Sequence, residues 1–285
     1  MSEAASATAL SPLAKTVYEK DRDRFLTVML LPKSLREDVF TIYALNHELS
    51  KVSSAVSEAT LGHIRLQWWR EAIEECFQDN PRRHEITRPL AELMQRRNLS
   101  KSLFDQMLDA REDDLLDDPI QRLDHLMVYA DKTGGNILRL ALQATGISDE
   151  NTLAAAGRVG TAWALVGLMR ALPFHLREKK QWLPEELVSR HKIDGRAMRD
   201  LAQSDELNFA VREICDIAEN LISEARELRV SNDKNAVPLL QLAGLAKSYC
   251  KQLSQAQYNP YDSSLAIKPS LRVLKVFGLN LINRF

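Results

Sequence analysis

Residues Phe25–Ser54 read FLTVMLLPKSLREDVFTIYALNHELSKVSS, and their periodicity decides the fold class. Phe25, Val28, Met29 and Leu31 share one helical face, which Pro32 closes. From Ser34 to about Ser54, Leu35, Val39, Ile42, Leu45 and Leu49 recur at spacings of three and four. That spacing predicts a second amphipathic helix.

The same period runs through the rest of the chain. SEATLGHIRLQWWREAIEECF predicts a helix ending at DNPRR, and LSKSLFDQMLDAREDDL predicts another with Ser100 as its N-cap. Further helices are expected over Leu123–Thr145, from about Glu150 to Leu172, and near 205–230 and 237–255. Gly146, Pro184 and Pro238 mark the joints. No stretch alternates as a strand does, and there is no internal repeat. One all-α domain over 13–260 is expected, after a flexible segment over 1–12 and before a C-terminal helix over 261–285.

Bulk properties exclude several classes. The 285 residues are 45% hydrophobic and 27% charged, with a net charge of −1, so no field drawing the chain to nucleic acid is expected. Three scattered cysteines without a C-x-x-C argue for a reducing compartment, against a disulfide framework or a zinc knuckle. No apolar run is expected to span a bilayer, and MSEAASATALSPLAK lacks the marks of a signal or transit peptide. A cytoplasmic protein is expected. In the tail, Leu271, Leu274, Phe277 and Leu281 share a helical face, with Arg272, Lys275 and Arg284 elsewhere. A helix packed on the body and a helix on an anionic membrane surface are both open readings.

Several segments in fixed order resemble the squalene/phytoene synthase family: FLTVMLLPKSLREDVFTIYAL, RLQWWREAIEECF, MLDAREDDL, VYADKTGGNILRLAL and LMRALPFHLREKKQWLPEEL. The likeness runs from about Tyr18 to about Leu187 and implies an all-α isoprenoid-synthase-type helical bundle around a central cavity. Active members condense two prenyl diphosphates. They use two D-x-x-x-D clusters, whose carboxylates at i and i+4 hold Mg²⁺ against the diphosphate.

Aligned on that pattern, YALNHELSKVSS puts Ser50 and Ser54 in the first pair of acid slots, with Lys51 beside them. The second motif puts Ala171 and His175 in the acid slots, keeps Arg170, and has Pro173 between them. A proline there ends or kinks the helix, and neutral serine hydroxyls are poor Mg²⁺ ligands. The resemblance thus sets Tyr43, His47, Ser50, Ser54, Gly134, Gly135, Arg170, Ala171 and His175 as degenerate motif and cavity positions, with no catalytic residue and no metal ligand. For Gly134 and Gly135, room for an isoprenoid chain and close helix packing are both open.

Other patterns are weaker. Asp113–Asp117 reads DDLLD, which by pattern resembles a prenyl-diphosphate metal site but falls outside both slots. A solvated, charged helix end is the preferred reading, with a relocated metal site as the alternative. His47-Glu48 lacks the second histidine of H-E-x-x-H, because position 51 is Lys. His175 with Arg177, Lys179 and Lys180 is either an anion or lipid head-group contact or a solvated basic turn. Of Trp68 and Trp69, one is expected in the core and the other at its edge.

Within the family, the chain resembles a subgroup without the acids, the complex I assembly factors and their bacterial relatives. Asn46, Glu48, Ser57, Glu58, Thr60 and Gly62 carry one part of that likeness; Arg170, Ala171, Pro173, Phe174 and His175 carry the other. It implies a pseudoenzyme used as a binding or assembly module, with complex I subunits or assembly intermediates as partners. A lipid or isoprenoid in the old cavity, the inner face of the cytoplasmic membrane as a surface, and no cofactor complete the expectation. The alternative is an active prenyltransferase, with Mg²⁺ as its cofactor.

Overall fold

A computed structural model describes residues 10–56, 58–228, 230, 234–266 and 285. Residues 1–9 of the segment expected over 1–12, Ser57, and the amphipathic face built on Leu271, Leu274, Phe277 and Leu281 lie outside the described residues. Ser11 accepts a hydrogen bond from the Ala14 amide at 3.0 Å and caps the first helix.

The first half comprises α1 (Pro12–Lys20), α2 (Arg22–Val28), α3 (Lys33–Ser50), α4 (Ala59–Phe77), α5 (Thr87–Arg96) and α6 (Lys101–Arg111). A 3₁₀ turn, Glu112–Leu115, leads to α7 (Leu123–Ala130), which continues through a π-helical turn, Asp131–Gly135, into α8 (Asn136–Ala144). The second half holds α9 (Glu150–Arg170), α10 (Leu172–Arg177), α11 (Glu185–Arg190), α12 (Gly195–Arg199) and α13 (Asp205–Glu227). α14 (Ala236–Leu240), α15 (Leu242–Gln255) and a 3₁₀ turn, Ser263–Ala266, end the described run. No strand occurs among the described residues, as the all-α reading expects.

α9 is the axis of the bundle. It packs against α13, the π turn, α15 and α8, and its Ala155, Ala156, Val159, Ala162, Leu165, Val166 and Met169 are all buried. Its 21 residues are also long and apolar enough to cross a membrane, which corrects the expectation that no run would be. Here that apolarity serves burial, because 61% of its apolar 18-residue window lies inside the bundle.

The crossing of α9 with the π turn is made by glycine. A Cβ added to Gly134 would lie 2.4 Å from the Gly160 carbonyl oxygen, and one added to Gly160 would lie 2.2 Å from that of Gly134. At Gly135 it would meet the Asp131 carboxylate at 2.5 Å. Close helix packing therefore accounts for this glycine pair, the second of the two readings left open.

Two boundaries differ from expectation in ways that matter for function. α3 stops at Ser50, not Ser54: the Lys51 amide is shared among the carbonyls of the last turn, and residues 51–55 are turns. Ser50 Oγ donates to the His47 carbonyl at 2.8 Å and Ser54 Oγ to that of Lys51 at 3.2 Å, local bonds that compete with helix continuation. The break at Pro173 is found where expected. α9 ends at Arg170, Ala171 is the junction, and Pro173 sits in the first turn of α10, where its missing N–H costs nothing.

Smaller expectations resolve in the same way. All three cysteines are free and buried. Trp69 is buried and Trp68 half-buried, edge to face at 5.0 Å. Ser100 stands at the N-cap of α6, but its hydroxyl meets Ser102 at 2.9 Å instead of a backbone amide.

Candidate functional site

One face of α3 and one face of α9 look onto a shared cleft of about 480 Å³. From α3 come Tyr43, Asn46, His47 and Ser50, at helical spacings of three and four. From α9 come Trp163, Ala164, Gly167 and Leu168, with Ala171 at its end. Lys20, Asp21 and Arg24 close one side, and Arg111, Tyr129, Thr133 and Gly134 the other.

Arg24 sits among aromatic rings. Its guanidinium lies 5.3 Å from the Tyr43 ring centroid and 6.0 Å from that of Trp163. Asp21 holds it: one carboxylate oxygen accepts from Arg24 Nη1 at 2.7 Å, the other from the Arg24 amide at 3.0 Å. Burial pushes the Tyr43 phenol far above its ordinary pKa despite Arg24, so the hydroxyl stays protonated and can donate. His47 is held below its ordinary pKa, first by burial and then by Lys51, and so is neutral at pH 7.

Across the cleft lies a second ion pair. Arg111 Nη1 donates to Asp114 Oδ2 at 3.1 Å and to Tyr129 Oη at 3.0 Å, and Tyr129 Oη donates to Asp114 Oδ1 at 2.7 Å. Arg111 Nη2 reaches Asn46 at 3.4 Å and so joins α6 to α3. Burial works against the Arg111 charge, but Tyr129 and Asp114 together outweigh it. The Trp182 ring packs on Tyr129 at 4.3 Å.

Asp114 corrects the reading of DDLLD as a solvated helix end. It is 7% exposed and paired, and Asp113 meets His125 at 2.8 Å; of the four aspartates over 113–118, Asp117 and Asp118 are exposed. No cluster able to hold a metal ion occurs among the described residues.

The sequence-derived positions divide. Tyr43, His47, Ser50, Gly134 and Ala171 meet at the cleft. Ser54 does not; it opens onto a separate depression with Glu48, Lys51, Trp68 and Trp69, because α3 has already ended. Lys51 pairs with Glu48 at 2.6 Å. Arg170 turns to the far side of α9, where its guanidinium lies 3.5 Å over the Tyr249 ring. Gly135 packs on α9.

His175 leaves the cleft with α10 and lies 6.3 Å from Trp182, its pKa lowered by burial. The basic residues grouped with it lie in different surroundings. Arg177 lies 6.0 Å over exposed Phe174, Lys179 is exposed in the left-handed region at φ 60°, and Lys180 donates to the Leu116 carbonyl. Sequence reasoning missed Asp21, Arg24, Arg111 and Tyr129. A signal existed for Arg111, which stands three residues before Asp114 on a helix end, the spacing of an ion pair.

The donor set suits a hard dication poorly. Asp21 is the carboxylate on the wall of the cleft, and it is engaged by Arg24. The facing positions, Ser50 and Ala171, supply a neutral hydroxyl and a methyl group where Mg²⁺ would require carboxylate oxygens.

Helices on all sides of one cleft, without a strand among the described residues, define an isoprenoid-synthase-type bundle. The crystal structure of squalene synthase from Alicyclobacillus acidocaldarius has that architecture. It aligns with a TM-score of 0.78 over 87% of this chain and 94% of that one, at 16% identity. The chain belongs to the squalene/phytoene synthase family, whose model matches residues 17–274. Among curated proteins it is similar to NADH dehydrogenase (ubiquinone) complex I, assembly factor 6 of Bos taurus, 27% identical over 259 residues, 91% of this chain and 78% of the relative. It is also similar, at 23% identity over 207 residues, to presqualene diphosphate synthase of Sinorhizobium fredii, across 64% of this chain and 73% of that protein.

Proposed function

We propose that this chain serves the assembly of respiratory complex I and does not condense prenyl diphosphates. The observation that carries the reading is the likeness to assembly factor 6 over 91% of the chain. The cleft supports it, because the slots for metal-binding acids that reach its walls hold Ser50 and Ala171. Its partners on this reading are complex I subunits or assembly intermediates, met in the cytoplasm at the inner face of the membrane. It needs no metal cofactor.

Deleting the gene in its own cell tests this reading. Assembled complex I, read by native gel and NADH oxidation, is expected to fall and to return when the gene is restored, with isoprenoid hydrocarbons unchanged. Normal complex I with a lost hydrocarbon would overturn it.

The likeness to presqualene diphosphate synthase favours a second reading, an active prenyltransferase. Ser50→Asp with Ser54→Asp separates the two. The double variant is expected to stay inactive on farnesyl diphosphate with Mg²⁺, because Ser54 opens onto another depression and Ala171 remains opposite. Robust product from the wild type would favour the second reading.

A further inference from the structure

The charges around the cleft can be counted. Lys20, Arg24 and Arg111 are positive; Asp21 and Asp114, the partners of the two arginines, are negative. Three positive charges against two negative leave one in excess. Lys20, at the exposed rim, is the cation without a carboxylate in this count. His47 is neutral at pH 7, and Lys51 behind it is matched by Glu48.

The cleft also holds unmatched donors. Tyr43 Oη, Arg24 Nε and Arg111 Nε are buried and have no hydrogen-bond partner among the described residues. All three side chains line this one cleft, from three different helices. Buried donors without acceptors are rare in folded proteins, and these three belong to side chains on one cleft, where a small turn of each side chain would bring them to an acceptor-rich group. Opposite them, Trp163, Ala164, Leu168 and Ala171 make an apolar wall, and a Cβ added to Gly167 would meet nothing within 4 Å. The volume of about 480 Å³ lies within the usual range for a small-molecule site.

We propose that the cleft binds an amphiphile whose oxygen-rich head group, a carboxylate or phosphodiester, carries a single negative charge. Arg24, Arg111 and Tyr43 donate to the head group directly, with no divalent cation between, and the α9 face takes the apolar chain. A diphosphate, with roughly three negative charges, would exceed the available positive charge by about two; without a metal, that excess is costly to desolvate. The proposal rests on the reading that the cleft carries no Mg²⁺ site. It does not depend on the assembly role.

The test is calorimetric titration of the purified full chain in EDTA. The probes are oleate, lysophosphatidylglycerol, zwitterionic lysophosphatidylcholine and farnesyl diphosphate, each below its micelle concentration. At least one of the two monoanions is expected to bind about tenfold or more tighter than the zwitterion and the diphosphate, and which one binds tells carboxylate from phosphodiester. Replacing EDTA with Mg²⁺ should leave that Kd within about twofold. Arg24→Gln should weaken binding about tenfold or more. Gly167→Phe, which fills open space, should abolish binding while the melting temperature holds or rises. Unchanged binding in Gly167→Phe, diphosphate binding that needs Mg²⁺, or no binding of either monoanion would overturn the proposal. Turnover of farnesyl diphosphate with Mg²⁺ would instead overturn the metal-free reading beneath it.

Discussion

Arg111→Met is expected to destabilise the protein by about 3–5 kcal/mol, the usual cost of leaving half of a buried ion pair. Both partners are enclosed, with side-chain exposures of 11% for Arg111 and 8% for Asp114. Removing the guanidinium strands the Asp114 carboxylate and deprives Tyr129 Oη of its donor. It also cuts the link from α6 to Asn46 on α3. Denaturant unfolding reads this as a lower midpoint with an unchanged slope. The triple variant Arg111→Met, Asp114→Leu, Tyr129→Phe is expected to recover most of the loss, since no buried polar group is then left unmatched. A loss under about 1 kcal/mol for the single variant would mean that water reaches the pair and screens it.

Gly160→Leu is expected to cost roughly 3 kcal/mol or more, at the upper end of overpacking substitutions. The neighbour is the Gly134 backbone carbonyl, 2.2 Å from the position of the new Cβ, and not a side chain able to turn aside. α9 and the π turn would have to separate, and α9 is also packed by α13 and α15. Gly167, two turns along the same helix, is the control: its missing Cβ faces open space, so Gly167→Ala is expected to gain up to about 1 kcal/mol from helix propensity. Equal losses at the two positions would show that the crossing does not set the cost.

Helical spacing made most of the architecture legible, because burial repeats it. Leu35 aside, the apolar residues of α3 named from the sequence are buried. The Pro173 break was legible because proline cannot donate within a helix. The end of α3 was not. No glycine or proline lies between Pro32 and Ser54, and Val52 keeps the apolar period while the backbone has already turned. Ser50 and Ser54 therefore looked like a pair on one face, although only Ser50 reaches the cleft.

The cleft itself was half legible. Tyr43, His47 and Ser50 follow from helical geometry alone. Arg24 and Arg111 do not, because a charged residue in an amphipathic helix reads as a solvent face until tertiary packing encloses it. Asp114 was legible only in its spacing of three from Arg111. Its partner Tyr129 stands 15 residues away, on α7, and no local pattern joins them.

On the proposed reading, a synthase fold is kept here without synthase chemistry. That reading is tested most directly by measuring pyrophosphate release and hydrocarbon product from farnesyl or geranylgeranyl diphosphate with Mg²⁺, using the purified wild-type chain. Neither is expected to rise above a no-protein control. Sustained release of pyrophosphate with a squalene- or phytoene-like product would contradict it.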